Sequence, residues 1–211
     1  MRISYKDFEK RIGANMAKLR NFFAMLSRMK YINRWGLMRN TITENIAEHS
    51  LDVAVIAHGL AVIGNTYFGK QLNEDRIAVL AMYHDTTEII TGDLPTPIKY
   101  FAPEIKIAYK SVEAAAGNSL LHALPRELRP SYKDIILPAE EDKELWKYVK
   151  AADKLSAYIK CVEEKRMGNL DFEQAEKTTY EAVKEMNMPE VDYFLEVFMP
   201  AYSLTLDEQS K

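Results

Sequence analysis

Residues 48–64 read EHSLDVAVIAHGLAVIG, and apolar side chains recur in them at steps of three and four residues. This spacing places them on one face of an α-helix. We expect a buried helix that begins at or near His49 and ends at Gly64-Asn65, because glycine followed by a polar residue commonly ends a helix. His58 is nine residues beyond His49. It should therefore point to the opposite side of this helix.

Helical patterns continue along nearly the whole chain. A second helix is predicted from Asn73, a typical N-cap, through His84 to Glu88 or beyond, with its end by Thr91-Gly92. Further helices are predicted over residues 105–124, from 140 to a stop at 168–169, over 172–186 and over 191–198, and the polar end at 207–211 is expected to fray. The fold class is therefore predicted to be all-α.

Length and composition limit the class of protein. A chain of 211 residues that is 47% hydrophobic can bury one core and is most simply a single domain. The formal net charge of −3 gives no field that would attract nucleic acid, so a small ligand is favoured over a polymer. The single cysteine excludes an intrachain disulfide, and the first residues lack the pattern of a secretory signal, which favours a cytoplasmic protein. We expect no membrane span, because the best apolar stretch, residues 51–64, is too short.

Four residues offer the nitrogen and oxygen atoms that one divalent metal ion takes as ligands: His49, His84, Asp85 and Asp153. Asp153 lies within an apolar helical pattern, where a carboxylate is costly unless a charged group meets it. Each residue also has an ordinary structural interpretation, as a cap, an ion-pair partner or a histidine bonded to the backbone. The order and spacing of the four together favour a metal site.

Two further features lie close to His84 in the sequence. At about 100° per residue, Glu88 should lie one turn beyond His84 on the same helix face. The next residues, 92–97, read GDLPTP, and two prolines one residue apart exclude a regular helix. This segment is predicted to form a rigid turn that exposes polar groups to a ligand.

The order His, His-Asp, Asp on a helical scaffold resembles the HD superfamily of metal-dependent phosphohydrolases. Within it, the chain is most similar to the bacterial 5'-deoxynucleotidase YfbR group, through INRW at 32–35, LMRN at 37–40, EN at 44–45, AMYHD at 81–85 and GDLPTP at 92–97. The resemblance implies a single-domain, HD-type helical bundle over residues 22–207. Residues 1–21 would be an N-terminal helical extension.

The resemblance also implies roles for individual residues. One divalent ion would be held by the four ligand candidates, and two imidazoles with two carboxylates suit cobalt or manganese, with zinc or copper as alternatives, better than magnesium. Glu88 would be the general acid or proton shuttle, and the planar guanidinium of Arg34 would bind the phosphate. Trp35 would be an apolar wall beside the sugar, and Asp93 would bond a sugar hydroxyl and complete the catalytic set. The implied substrate contacts are Arg34, Trp35, His49, His84, Asp93, Leu94, Pro95, Thr96 and Asp153.

The implied reaction is hydrolysis of a deoxyribonucleoside 5'-monophosphate to a deoxynucleoside and phosphate, by an enzyme that in this group is often a homodimer. Three alternatives stay open. A related phosphohydrolase for nucleoside triphosphates or cyclic nucleotides would need more cations, for which Arg28, Arg39 and Lys99 are the candidates. A di-iron oxygenase would need more histidines, and only His58 and His122 are spare. The third is a non-catalytic nucleotide-sensing or dimer-scaffold protein.

Overall fold

The computed structural model describes residues 20–95, 98 and 101–210. Its α-helices are α1 Phe22–Leu26, α2 Ile46–Tyr67, α3 Glu74–Tyr83, α4 Glu88–Thr91, α5 Pro103–His122, α6 Arg129–Ile136, α7 Leu145–Arg166, α8 Glu173–Lys184, α9 Pro189–Val197 and α10 Leu206–Gln209. Short 3-10 helices cover Ser27–Tyr31, Glu140–Asp142, Leu170–Phe172 and Met199–Ser203. The described residues contain no β-strand, only an isolated bridge between Asn33 and Asn45. The predicted all-α class is confirmed.

The start of α2 is set by a local cap. The side chain of Asn45 accepts hydrogen bonds from the backbone N–H groups of Ala47 and Glu48, at 3.0 and 3.1 Å. The side chain of Glu48 accepts in return from the backbone of Asn45, which completes a capping box. The helix therefore begins at Ile46, three residues before the predicted start, and His49 lies in its first turn.

The predicted stop of α2 at Gly64-Asn65 is wrong. The helix continues through Gly64 to Tyr67, and a glycine with φ of +64°, Gly69, follows it. A Cβ atom at position 64 would lie 2.9 Å from Oε1 of the buried Glu190. The glycine is therefore needed for close packing against α9, and not for helix termination.

The second predicted helix is interrupted at its functional end. Helix α3 ends at Tyr83, the chain turns through residues 84–87, and α4 begins at Glu88. The buried Thr86 donates its hydroxyl to the carbonyl oxygen of Tyr83 at 2.8 Å, which favours a tight turn over a regular helix. His84 and Glu88 consequently do not share one face of a continuous helix, as the sequence had suggested. The predicted end at Gly92 is confirmed, with φ of +72°.

The main core lies where α2, α3 and α7 pack against one another, with α9 closing one side. A smaller apolar cluster joins α1, α5 and α6. Helix α7 runs through the centre and ends just before Gly168, which has φ of +85°, so the predicted stop there is confirmed. This arrangement brings residues of α2, the turn after α3 and α7 to one place.

Other predicted boundaries differ by a few residues from the observed ones. The predicted 105–124, 172–186 and 191–198 correspond to α5, α8 and α9, and the long helix predicted from 140 begins as a 3-10 turn before α7. Helices α1 and α6 were not predicted. The segment expected to fray contains α10, which is held by a capping box between Thr205 and Glu208. Residues 1–19 of the predicted extension, and Thr96, lie outside the described residues.

Helix α2 is longer than the apolar stretch recognised in the sequence. It has 22 residues, and an 18-residue window within it has a mean hydropathy of 1.5, which is enough by length and composition to cross a membrane. More than half of that window, 56%, is nevertheless buried inside the protein. A helix with these properties is typical of the core of a soluble protein, so its apolar character is weak evidence for a membrane.

Candidate active site

Four polar side chains meet where the first turn of α2, the turn after α3 and the middle of α7 come together. Ligand-type atoms of His49, His84 and Asp85 all lie within 4.8 Å of one another. Oδ1 of Asp153 is 3.1 Å from Nε2 of His49. The structure therefore brings together all four residues that the sequence suggested as metal ligands.

The two imidazole rings face the same carboxylate with the same nitrogen. Nε2 of His84 lies 3.1 Å, and Nε2 of His49 3.5 Å, from Oδ2 of Asp85. Both Nε2 atoms are buried, and within the described part of the chain neither makes a hydrogen bond of acceptable geometry. Buried nitrogen atoms of this kind are costly unless a further group meets them.

Each ring is oriented through its other nitrogen. Nδ1 of His84 donates to the carbonyl oxygen of Ala81 at 2.7 Å, so the Nε2 atom of the neutral ring carries the lone pair. Nδ1 of His49 lies 3.2 Å from Oγ of Ser156. Outer contacts of this type fix the ring plane and present Nε2 to the cluster.

The charges in the cluster are unequal. Burial lowers the pKa of His49 to about 4, so this ring is neutral at pH 7. Burial would also lower the pKa of His84, but the adjacent Asp85 carboxylate outweighs it and raises that pKa to about 9. Burial likewise opposes ionisation of Asp85 and Asp153, but His84 and His49 hold the pKa values of these two carboxyl groups below their usual range. The pair of carboxylates thus attracts positive charge.

These residues fit a divalent metal ion. Neutral imidazole nitrogens and carboxylate oxygens are ligands for zinc, manganese or cobalt, so a bound ion would replace the proton on His84. Among the described residues, neither buried Nε2 atom makes a hydrogen bond of acceptable geometry. His49, His84, Asp85 and Asp153 could therefore hold one such ion. The spare histidines of the sequence, His58 and His122, are both exposed.

A cation lies directly beside the cluster. Nη1 of Arg34 is 3.9 Å from both Oδ2 of Asp85 and Oδ1 of Asp153. Its Nε atom is 3.2 Å from Oε2 of Glu44. The next residue, Trp35, has φ of +57°, and its ring packs on Phe172 with centroids 5.4 Å apart. Sequence reasoning gave Glu44 no role, because an acid next to a helix N-cap usually faces solvent.

The remaining predicted residues lie around the turn that follows α4. Glu88 is buried as the first residue of α4, and its backbone N–H donates to the carbonyl oxygen of Asp85 at 3.0 Å. Asp93, Leu94 and Pro95 are half-buried in the segment after Gly92.

A cavity of about 580 Å³ opens beside the cluster. One end is lined by Arg34, Trp35 and Asp153, together with Asp93 and Pro95. The opposite wall consists of small residues on α7 and α8, namely Ala157, Ala175, Thr178, Thr179 and Ala182, with Lys154 at its edge. The volume is typical of a site for a small molecule. The α8 wall was not predicted, since short alanine and threonine side chains carry no distinctive signal in the sequence.

Solved structures with this fold define a class of protein. An HD-domain phosphohydrolase from Listeria innocua superposes with a TM-score of 0.76, covers 90% of this chain and 92% of its own, and is 22% identical. The cyanophage S-2L HD phosphohydrolase DatZ, described as bound to dA and one catalytic Zn²⁺ ion, has a TM-score of 0.62, covers 86% and 96%, and is also 22% identical. At this identity the similarity shows the fold, which is that of the HD phosphohydrolases.

Sequence similarity is closer and extends over nearly the whole chain. A 5'-deoxynucleotidase from Vibrio cholerae is 53% identical over 190 residues, which are 90% of this chain and 98% of that protein. A 5'-deoxynucleotidase from Yersinia pestis is 51% identical over 193 residues, 90% and 96% of the two chains. The model of the 5'-deoxynucleotidase YfbR-like family matches residues 21–202. The chain belongs to this family, and the resemblance inferred from its motifs is confirmed.

Proposed function

We propose that this protein is a metal-dependent 5'-deoxynucleotidase, which hydrolyses deoxyribonucleoside 5'-monophosphates to a deoxynucleoside and inorganic phosphate. The observation that carries the proposal is the meeting of two imidazoles and two carboxylates, with the guanidinium of Arg34 at 3.9 Å from both carboxylates. The activity named for relatives about 50% identical to this chain supports the same reaction.

We propose His49, His84, Asp85 and Asp153 as the ligands of one divalent ion. Cobalt or manganese is favoured by the mixed donor set, with zinc and copper as alternatives. The zinc ion described for the cyanophage protein supports a single divalent ion in this fold. When bound, the ion would polarise the phosphorus atom and lower the pKa of a water molecule.

Side chains around the cluster would bind the phosphate and protonate the leaving group. Arg34 would bind the phosphate oxygens through the Nη side of its guanidinium, which faces the cluster. Glu88 would deliver a proton to the leaving 5'-oxygen, because a sugar alkoxide is a poor leaving group without one. Its position as a buried acid shortly after His84-Asp85 supports this role.

The sugar and base would extend from the cluster into the cavity. Trp35 would restrict the space beside C2', and Asp93, with Leu94, Pro95 and Thr96, would contact the sugar and hold its hydroxyl. The base would reach the wall of small residues on α7 and α8. The threonine hydroxyls there already donate to carbonyl groups of their own helix, so this wall offers little to distinguish one base edge from another. We therefore expect a broad base preference.

We also propose a cytoplasmic homodimer without a membrane or nucleic-acid partner, and a phosphohydrolase domain over residues 22–207. The small net charge supports the lack of a nucleic-acid partner. Light scattering of the full chain in solution would test the dimer. A mass of one chain of 24.3 kDa would contradict it.

A related activity on nucleoside triphosphates would require additional cations close to the cluster. The side chain of Arg39 is 93% exposed and pairs with Asp171 at 3.5 Å, and Arg28 is exposed as well. Among the described residues, Lys154 is the one cation besides Arg34 that lines the cavity, which favours a monophosphate; Lys99 lies outside the described residues.

Phosphate release from matched deoxyribo- and ribonucleoside 5'-monophosphates, and from a deoxynucleoside triphosphate, tests the proposal. Metal-stripped protein would be reloaded separately with cobalt, manganese, magnesium and zinc. We expect release from the deoxy monophosphates with cobalt or manganese. Pyrophosphate or triphosphate products, or no turnover with any metal, would contradict the proposal.

A further inference from the structure

We propose that Glu44 is a positioning residue that orients Arg34 and Trp35 together, and so couples phosphate binding to selectivity for deoxyribose. The inference rests on the proposed function. Its basis is that a single carboxylate oxygen, Oε2 of Glu44, lies 3.2 Å from Nε of Arg34 and 3.1 Å from Nε1 of Trp35. The two residues that would meet the phosphate and the sugar thus share one anchor.

The contact with Arg34 determines which side of its guanidinium faces the cluster. Glu44 occupies the Nε side, and Nη1 is left 3.9 Å from the carboxylates of Asp85 and Asp153. Glu44 also fixes the backbone of the same residue, because its carbonyl oxygen accepts the N–H of Arg34 at 2.9 Å. A guanidinium held at the backbone and at Nε presents its remaining N–H groups in a fixed direction.

The backbone conformation of Trp35 requires stabilising contacts. Its φ of +57° lies in the left-handed region, which a bulky side chain adopts only when its surroundings hold it there. Its carbonyl oxygen accepts hydrogen bonds from Asn40 Nδ2 at 3.2 Å and from the N–H of Met38 at 2.8 Å. The bond from the indole N–H to Glu44 adds the constraint that fixes the direction of the ring.

A carboxylate is suited to this task in a way that an amide is not. Glu44 is mostly buried, with 13% of its side chain exposed; its Oε2 accepts the indole N–H of Trp35 and forms an ion pair with Nε of Arg34. Hydrogen bonds to an ionised acceptor are about twice as strong as neutral ones. Glutamine keeps the shape but loses the charge, so it would weaken the hydrogen bond and remove the ion pair. The direct consequence would be movement of Arg34 and Trp35 together.

The test compares Glu44→Gln and the shorter Glu44→Asp with the wild type. The kcat and KM values are measured for deoxyadenosine 5'-monophosphate and adenosine 5'-monophosphate with the metal-loaded full chain. We expect a rise of about tenfold in KM for the deoxy substrate, because the buried ion pair that orients Arg34 is lost. We also expect the deoxy-to-ribo ratio of kcat/KM to narrow by about threefold or more, because the sugar wall is no longer fixed.

Glu48→Gln is the matched control, since Glu48 is a nearby exposed acid in the capping box of α2. Glutamine preserves a capping box, so KM and the selectivity ratio should stay at wild-type values. Trp35→Phe, which removes the indole N–H, is the second approach should the Glu44 variants fold poorly. It should narrow the same ratio, and adding Glu44→Gln to it should narrow the ratio little further.

The outcomes separate the two levels of the proposal. An active wild type whose Glu44 variants lose thermal stability, but keep KM and the deoxy-to-ribo ratio, would show a purely structural role and overturn the inference. Independent, additive effects of Glu44→Gln and Trp35→Phe on the ratio would overturn it too. A wild type that releases phosphate from neither substrate would instead contradict the proposed function, and the inference with it.

Discussion

Two of the carboxylates on helix α7, those of Asp153 and Glu164, differ in what surrounds them. Glu164 is fully buried, and its oxygens accept from the backbone N–H groups of Thr41 and Ile42 and from the side chains of Lys160 and Asn169. The side chain of Asp153 is 43% exposed and faces an imidazole at 3.1 Å and a guanidinium at 3.9 Å. Two carboxylates on one helix therefore have different surroundings and different roles.

A structural acid and a functional acid are distinguished here by whether protein donors satisfy the carboxylate. The carboxylate of Glu164 is satisfied by protein donors and ties the segment before α2 to α7. Asp153 lies instead beside a second acid and a ring whose Nε2 lacks a hydrogen bond among the described residues. A satisfied carboxylate contributes stability, whereas carboxylates beside imidazole nitrogens that lack hydrogen bonds among the described residues favour an external cation.

Among the predicted substitutions, replacement of Asp153 should have the largest effect on metal binding and activity. We expect Asp153→Ala to lower metal affinity by more than about 100-fold, since even partners outside the ligand shell contribute 10- to 100-fold. Phosphate release should be lost, while the melting temperature of the metal-free protein changes little. Metal analysis after dialysis provides the measurement, and a variant that keeps its metal would remove Asp153 from the ligand set.

Glu88→Gln should separate catalysis from metal binding. We expect kcat to fall by about 10²- to 10⁴-fold, the usual contribution of a general acid, with the metal content unchanged. Steady-state kinetics and metal analysis of the same preparation would check this. If Glu88→Gln loses metal to the same extent as Asp153→Ala, then Glu88 is a ligand and not the proton donor.

Glu164→Gln should affect stability instead of metal. Burial opposes ionisation of Glu164, but its hydrogen bonds, led by the one from Lys160, lower its pKa from 4.5 to about 2. A depressed pKa contributes stability that is present above the unfolded value and is lost as the pH falls toward 2. At pH 7 this contribution is on the order of 3 kcal/mol.

Urea unfolding of the wild type and Glu164→Gln at pH 7 and pH 3 would measure it. The wild type should exceed the variant by more at pH 7 than at pH 3, and both should bind metal equally. An equal difference at the two pH values would show that Glu164 is not ionised in the folded protein.

The fold class and the four residues of the site could be predicted from the sequence, but the residues that contact them could not. The apolar periodicity and the His, His-Asp, Asp order predicted an all-α fold and a common site for four residues. The start of α2 was missed although Asn45 and Glu48 form a readable capping box. Gly64 was misread because its packing partner, Glu190, is remote in sequence.

The role of Glu44 and the α8 wall depend on tertiary structure alone. The backbone of Trp35 is left-handed, and its indole N–H donates to Glu44. No local sequence pattern predicts this conformation. The wall around Ala182 likewise exists only because α8 lies beside the cavity. Sequence motifs identify reactive groups, whereas the groups that orient or enclose them follow from packing.

A substitution in the α8 wall of the cavity should have a smaller effect than those above. Ala182→Leu should fill part of the space opposite Trp35. It should lower kcat/KM for deoxyadenosine 5'-monophosphate relative to thymidine 5'-monophosphate by roughly threefold to tenfold, because purines are larger. Glu181→Leu, an exposed neighbour on α8 outside the cavity lining, is the control. Equal losses for purine and pyrimidine substrates would show that the base does not reach this wall.

The most direct test of the central claim is phosphate release from a deoxyribonucleoside 5'-monophosphate, measured while metal-stripped protein is titrated with manganese or cobalt. We predict no release without metal, and full activity at one ion per chain for the wild type and Glu164→Gln but not for Asp153→Ala. Release by metal-free protein, or full activity of Asp153→Ala at the same metal concentration, would contradict the account.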